Sequence, residues 1–176
     1  KTGAAQKIAE TIVDTIGEKR AIAALAIAAM IICAVGVFID IAVITVAPIA
    51  LAIGERAGLS KSGILLAMIG GGKAGNIISP NPNTIAVTEA FKLDLTAVMM
   101  KNIVPAICAL VVTILLASLL AKRKGDGISQ NDLEAAPSEK LPSALQAFAG
   151  PLTVIILLAL RPIAKISVDP LIALPL

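Results

Sequence analysis

Apolar and polar positions alternate in long blocks along the chain, and the block lengths predict its elements. Residues 21–53 carry one charged side chain, Asp40, and are too long for one membrane span of about 20 residues but too short for two spans and a turn. We therefore expect a re-entrant hairpin whose arms meet around residues 36–40. Residues 62–91 form a second apolar block that glycines and prolines interrupt, and they predict a broken transmembrane helix.

The remaining blocks predict further helices and connections. Residues 2–17 repeat isoleucine at every fourth position and predict an amphipathic helix, which either lies on the membrane surface or packs on its neighbours. Residues 102–121 predict a continuous span, preceded by a loop over 92–101. Residues 122–143 predict a polar linker, and 144–176 predict the start of a further membrane region. The fold class is therefore an all-α polytopic membrane protein.

Composition supports a membrane protein and excludes several function classes. The chain is 57% hydrophobic and 15% charged, whereas a soluble domain carries roughly 25% charge. A net charge of +3 and 2% aromatic residues give no basis for nucleic-acid binding. There is no His, and Cys33 and Cys108 lie in apolar runs, so the sequence predicts no metal site, no cofactor and no enzyme.

Basic residues predict the orientation of the chain in the membrane. With a hairpin over residues 21–53, ten of the fifteen Lys and Arg residues lie in residues 1–20, 54–62 and 122–143. Cytoplasmic loops carry an excess of Lys and Arg, so these three segments are expected on the cytoplasmic side.

Asp40 is the strongest single candidate for a residue that takes part in ion or proton transport. A carboxylate within a bilayer segment is costly and marks an ion or proton pathway. We expect Asp40 to carry the coupling proton, with a helix-capping role at the start of the second hairpin arm as the alternative.

Residues 70–84 contain four glycines and two prolines, so we expect no regular helix there. Irregular polar backbone at membrane depth is tolerated where it is buried in protein or lines a wet cavity. Amide and hydroxyl side chains suit the hydroxyl groups of a substrate, and the free N–H groups of a half-helix starting near Thr84 suit its carboxylate. The expected substrate-binding residues are Asn76, Ser79, Asn81, Asn83, Thr84 and Lys73.

Two alternatives stay open for this stretch. The polar residues could satisfy a helix break entirely by themselves. Lys73 could pair with an anionic substrate or with Asp40, or it could extend to the membrane interface.

Several runs make the chain similar to the gluconate permease family of proton symporters. They are residues 4–12, 17–21, 36–40 and 48–52, while residues 71–84 resemble a branch of that family whose substrates are poorly defined. The chain departs from the family pattern at Thr2, where members carry Ser, and at Asp40, where gluconate members carry Glu.

The resemblance implies two inverted repeats, each with a re-entrant hairpin and a broken helix, in a homodimer of the bacterial inner membrane. Residues 1–121 would be the transport core of the first repeat. The implied function is import of a gluconate-like sugar acid or small hydroxycarboxylate by proton symport. Sodium-coupled carboxylate transport on the same fold and a half-helix solute channel are the alternatives.

Overall fold

The computed structural model describes residues 4–17, 20–123 and 126–129, and the isolated positions 143, 146, 149 and 153. Over these residues the secondary structure is helical, without strands, so the all-α prediction is confirmed for this part of the chain. The helices are α1 (Ala4–Ile16), α2 (Ala21–Ala34), α3 (Ile39–Arg56), α4 (Lys61–Asn76), α5 (Pro82–Ala90), α6 (Leu95–Lys101) and α7 (Ile103–Leu120). Most of the expected linker and second repeat lies outside the described residues.

The helix α1 packs on its neighbours through its apolar face. Ile8, Ala9 and Val13 are buried, and α1 contacts both α2 and α3. It ends at Gly17, which has a φ of +89° and donates its N–H to the Val13 carbonyl at 2.8 Å. Glycine adopts this left-handed conformation without a steric cost, and it commonly ends helices. Of the two alternatives for this segment, the packed helix is the one observed.

The helices α2 and α3 form a pair joined by a tight turn. The turn contains Gly36, whose φ of +108° lies in the left-handed region, and α3 starts at Ile39. With 14 residues, α2 is roughly 21 Å long, which is shorter than the hydrocarbon core of a bilayer. Among the described helices, α7 is the one that is long and apolar enough to cross a membrane.

The glycine-rich part of the second apolar block is helical, so the prediction of irregular backbone across residues 70–84 is wrong for its first half. The helix α4 continues to Asn76, and only residues 77–81 leave the helix. Gly71 and Gly75 lie against α2, where an added Cβ would collide with the main-chain oxygens of Ala26 and Met30. The glycines thus permit close helix packing, as small residues four apart do in membrane helices.

The helix α7 runs antiparallel to α4 along its whole length. Near the start of α4, a Cβ on Gly63 would lie 2.6 Å from the Ala121 Cα atom. Halfway along, Gly70 contacts Thr113. At the far end, the Asn102 side chain donates to the Ile77 carbonyl at 3.1 Å. The end of α4 is therefore level with the start of α7.

Hydrogen bonds tie the α3–α4 connection to the end of α7 and the residues that follow it. The Ser60 hydroxyl donates to the Leu120 carbonyl at 2.8 Å, and it accepts from the Gly63 N–H at 3.1 Å. The Ser62 N–H donates to the Asp126 carboxylate at 2.9 Å. Three chain segments are thus fixed together at this end of the helix bundle.

The loop predicted for residues 92–101 contains the short helix α6, so that prediction is wrong for most of its length. Asp94 caps the helix, since its side chain accepts from the Ala97 N–H at 2.8 Å. Lys92, with a φ of +52°, lies in the turn between α5 and α6. A capping carboxylate thus marks the start of a short helix that the sequence analysis had assigned to a loop.

Candidate functional site

The candidate site is the break between α4 and α5. Asn81 is the N-cap of α5, and its side-chain oxygen accepts from the N–H groups of Asn83 at 2.9 Å and Thr84 at 3.3 Å. Pro82 takes the first helical position, where its missing N–H costs nothing. The N–H groups that sequence reasoning assigned to a substrate carboxylate are thus already bonded, so that part of the hypothesis is wrong.

A network of buried side chains closes the break from within. The main-chain carbonyl of Asn76 accepts from the Ser79 hydroxyl at 3.0 Å, from the Asn81 amide and from the Thr84 hydroxyl at 3.4 Å. The Asn81 amide also lies 3.0 Å from the Ser79 oxygen and 3.1 Å from the Thr84 oxygen. The alternative in which the break satisfies its own polar groups therefore describes Ser79, Asn81 and Thr84.

The Asn76 side chain stands apart from this network. The residue is only 4% exposed, yet neither its amide nitrogen nor its amide oxygen has a hydrogen-bond partner in the described part of the chain. Leaving a buried polar group unpaired costs about 1–3 kcal/mol, so such a group calls for an explanation. A hydroxyl could pair with either atom of this amide, because a hydroxyl both donates and accepts.

Lys73 and Asn83 are both exposed. Within the described residues, the ion pair considered between Lys73 and Asp40 is not formed. Lys73 lies one helical turn before Ile77, the first residue of the break, so it remains available to an anion.

Asp40 lies in the first turn of α3 and is exposed. The N-cap position belongs to Phe38, and no side chain caps this helix. In the described part of the chain, the Asp40 carboxylate has no hydrogen-bond or ion-pair partner. The structure thus assigns Asp40 no capping bond, and the carboxylate is free for other chemistry.

The α2–α3 turn lies against the last turns of α4. A Cβ on Gly72 would be 2.9 Å from the Ile39 Cγ1 atom and 3.3 Å from the Cys33 sulfur. Gly72 precedes Asn76 by one helical turn, and Ile39 precedes Asp40 directly. The fold therefore brings both sequence-predicted features, the turn with Asp40 and the helix break, to the same end of α4.

Asn102 joins the site although the sequence did not single it out. Besides its bond to the Ile77 carbonyl, it lines a cavity of about 210 Å³ together with Asn83 and Thr84. The apolar side of that cavity is formed by Val87 and Val98. The sequence shows that Asn102 is an amide residue immediately before an apolar span. It does not show that this amide contacts the Ile77 carbonyl, 25 residues earlier in the chain.

Across the described residues, no cluster of three His, Cys, Asp or Glu side chains could hold a metal ion. The polar atoms at the break are amides and hydroxyls, a set that suits an uncharged or hydroxylated ligand group.

Comparisons with known proteins give the family. Residues 1–173 match the sequence profile described as GntP family permease. An uncharacterized transporter of Haemophilus influenzae (strain ATCC 51907 / DSM 11121 / KW20 / Rd) is 56% identical over all 176 residues, which span 42% of the length of that relative. No solved structure matches the chain.

These matches confirm the resemblance seen in the sequence and the prediction that the chain is not part of an enzyme. They also support a multi-pass membrane protein. The chain belongs to the GntP family of permeases.

Proposed function

We propose that the full protein is a secondary active transporter of the bacterial inner membrane that imports a sugar acid or small hydroxycarboxylate together with protons. Family membership and the 56% identical transporter support transport as the activity. The chain covers 42% of that relative, so the site described above would form one part of the complete binding site.

The observation that carries this proposal is the unpaired Asn76 amide at a helix break. Broken helices with polar residues are where transporters bind substrates and ions. In such a site, a substrate hydroxyl would pair with Asn76 and supply a bond that the buried amide lacks. Because binding would relieve an existing penalty, the substrate would gain affinity from a group that otherwise destabilises the protein.

The other residues around the break take separate roles in the proposal. Lys73 and Asn83, both exposed, would contact the substrate carboxylate and further hydroxyls. Ser79, Asn81 and Thr84, which the sequence suggested as substrate ligands, would instead hold the break in shape through their mutual bonds. A rigid supporting network keeps binding groups in place, which reduces the entropic cost of binding.

Asp40 is the proposed proton carrier. Its carboxylate is exposed and lacks a partner in the described residues, and it lies in the first turn of α3, which contacts α4 about one helical turn before the break. Protonation of Asp40 would then occur next to the substrate, as coupling requires. In this proposal the α2–α3 pair is re-entrant, and it moves with the broken helix against the rest of a homodimeric protein built from inverted repeats.

Uptake by the full-length protein in liposomes tests this function. We would impose an inward proton gradient and follow a panel of labelled sugar acids and hydroxycarboxylates, with and without a sodium gradient. Accumulation above the equilibrium level that depends on the proton gradient supports the proposal. Accumulation that needs sodium would instead support sodium-coupled transport, and rapid equilibration without accumulation would indicate a channel.

A further inference from the structure

A second cavity lies at the opposite end of the helix bundle from the break. It has a volume of about 380 Å³ and lies between the start of α2, the α3–α4 connection and the end of α7. Its interior is mostly apolar and includes Ile22, Leu59 and Ile114. This end carries residues 20, 57–59 and 122, which belong to the segments that the positive-inside rule predicts to be cytoplasmic.

Two cations border this apolar cavity. Arg20 and Lys122 line it from different segments of the chain, and both are exposed. In the described part of the chain, neither forms an ion pair. Arg20 is also the N-cap of α2, and its side chain makes no capping bond, so the first N–H groups of α2 add positive potential at the cavity.

The face of α7 that leads away from the cavity is apolar and open. Ser118 and Lys122 line the cavity, and Leu115 and Val111 continue the same helical face toward the middle of α7. Leu115 is 61% exposed and Val111 is 51% exposed. A cationic cavity thus continues into an exposed apolar track along the helix that is long enough to cross a membrane.

We propose that this cavity binds the headgroup of an anionic phospholipid. The lipid phosphate would lie between Arg20 and Lys122, and an acyl chain would follow Leu115 and Val111 along α7. Charge complementarity favours this occupant, since cytoplasmic leaflets are rich in anionic lipids and basic pockets between membrane helices bind their headgroups. The site is separate from the helix break, so the proposal does not rest on the proposed transport function.

Binding of phosphatidylglycerol to the purified full-length protein in detergent, followed by native mass spectrometry, tests this site. Wild type should retain phosphatidylglycerol in preference to phosphatidylcholine, and inorganic phosphate should not compete at equal concentration. The double variant Arg20→Gln/Lys122→Gln should bind phosphatidylglycerol roughly 25-fold more weakly, because each cation near an anionic headgroup contributes about fivefold. The matched control Lys92→Gln/Lys101→Gln removes the same charge from two exposed residues outside the cavity and should bind as wild type does.

A second variant tests the space in the cavity while its charge is unchanged. Ser118→Phe retains both cations and fills the cavity, and it should also lose the preference for phosphatidylglycerol. Equal binding by wild type and either cavity variant overturns the proposal, as does an equal loss in the Lys92→Gln/Lys101→Gln control. Competition by inorganic phosphate would show a free anion site, and binding that appears only after residues 130–143 are removed would show that this segment of the chain occupies the cavity.

Discussion

Ile39 at the start of α3 lies against Gly72 in the last third of α4, where a Cβ on the glycine would be 2.9 Å from the Ile39 Cγ1 atom. Asp40 follows Ile39 directly, and Asn76 follows Gly72 by one helical turn. The contact therefore brings Asp40 and Asn76 to the same end of α4. Two adjacent glycines of α4 have different kinds of neighbour. Gly72 faces the side chain of Ile39, which can move, whereas Gly71 faces the main chain of Ala26, which is fixed within α2. This difference predicts unequal effects of the same substitution.

Gly71→Ala should destabilise the protein by about 3 kcal/mol, because the new methyl group would meet the main-chain oxygen of Ala26, which cannot move without displacing α2. Gly72→Ala is the matched control. There the Ile39 side chain can shift by a few tenths of an ångström, and alanine gains about 1 kcal/mol of helix propensity over glycine. Thermal unfolding of the full-length variants in detergent measures both, and equal melting temperatures would show that the close packing of α2 and α4 is not the reason for the glycines.

Asn81→Ala should cost about 1 kcal/mol from the lost helix cap alone, and more because the network around the Asn76 carbonyl loses its central donor. Asn83→Ala removes an exposed side chain two residues away and should change stability by less than about 0.5 kcal/mol. Asn81→Asp retains the cap acceptor but places a carboxylate oxygen, without a proton to donate, against the buried Asn76 carbonyl, so it should cost at least as much as Asn81→Ala. Unfolding midpoints of the three variants give the order, and an Asn81→Ala protein as stable as Asn83→Ala would contradict the described network.

The contact of Asp126 with the start of α4 should depend on pH. Hydrogen bonds from the side chain and main chain of Ser62 hold the pKa of Asp126 below its usual value, and the charges of Lys61 and Arg123 act in the same direction. A lowered pKa in the folded state means that the contact stabilises the protein above the usual Asp value of about 3.9, and that this contribution is lost as the pH falls below it.

Hydrogen exchange at the Ser62 amide measures this contact. Protection should decrease as the pH is lowered through the acidic range, after correction for the intrinsic exchange rate, and Asp126→Asn should reduce protection already at pH 7. Glu89→Gln, which changes an exposed carboxylate on α5, is the control and should leave Ser62 protected. Protection that is the same in Asp126→Asn and in wild type would remove Asp126 from this role.

Asp40→Asn should abolish uphill uptake while exchange of substrate across the membrane persists, because the variant retains the binding groups but cannot release a proton. The reduction in accumulation should be at least tenfold, and the flux under exchange conditions should remain within a few-fold of wild type. Glu89→Gln again provides a matched carboxylate control and should accumulate substrate normally. Unchanged accumulation by Asp40→Asn would move the proton to another residue.

The sequence allowed a good prediction of where helices change direction, because local chemistry decides it. Gly36 adopts a positive φ, and the consecutive residues Asn81 and Pro82 provide an N-cap and a first helical residue, so a turn and a helix start could be expected there. The glycines of α4 misled because their intrinsic helix propensity is low, while the gain from close packing against α2 depends on a partner that local sequence does not identify.

Contacts between distant segments were beyond the sequence for the same reason. The pattern of α7 shows an apolar span, but not that Asn102 bonds the Ile77 carbonyl or that Ser60 bonds the Leu120 carbonyl. At the break, composition indicated polar chemistry correctly, but it did not separate the residues that support the break from Asn76, whose amide is left unpaired. The difference depends on which polar atoms lie within hydrogen-bonding distance of one another, and only the structure shows this.

The variant Asn76→Leu tests the central claim most directly, with stability and substrate affinity measured on the same full-length protein. Leucine has nearly the same shape and removes the unpaired polar atoms, so the empty protein should become more stable by about 1–3 kcal/mol. If the amide binds substrate, the same variant should lose at least tenfold in affinity for the substrate that wild type accumulates. A protein that gains stability and still binds and accumulates substrate as wild type does would contradict the assignment of the helix break as the substrate site.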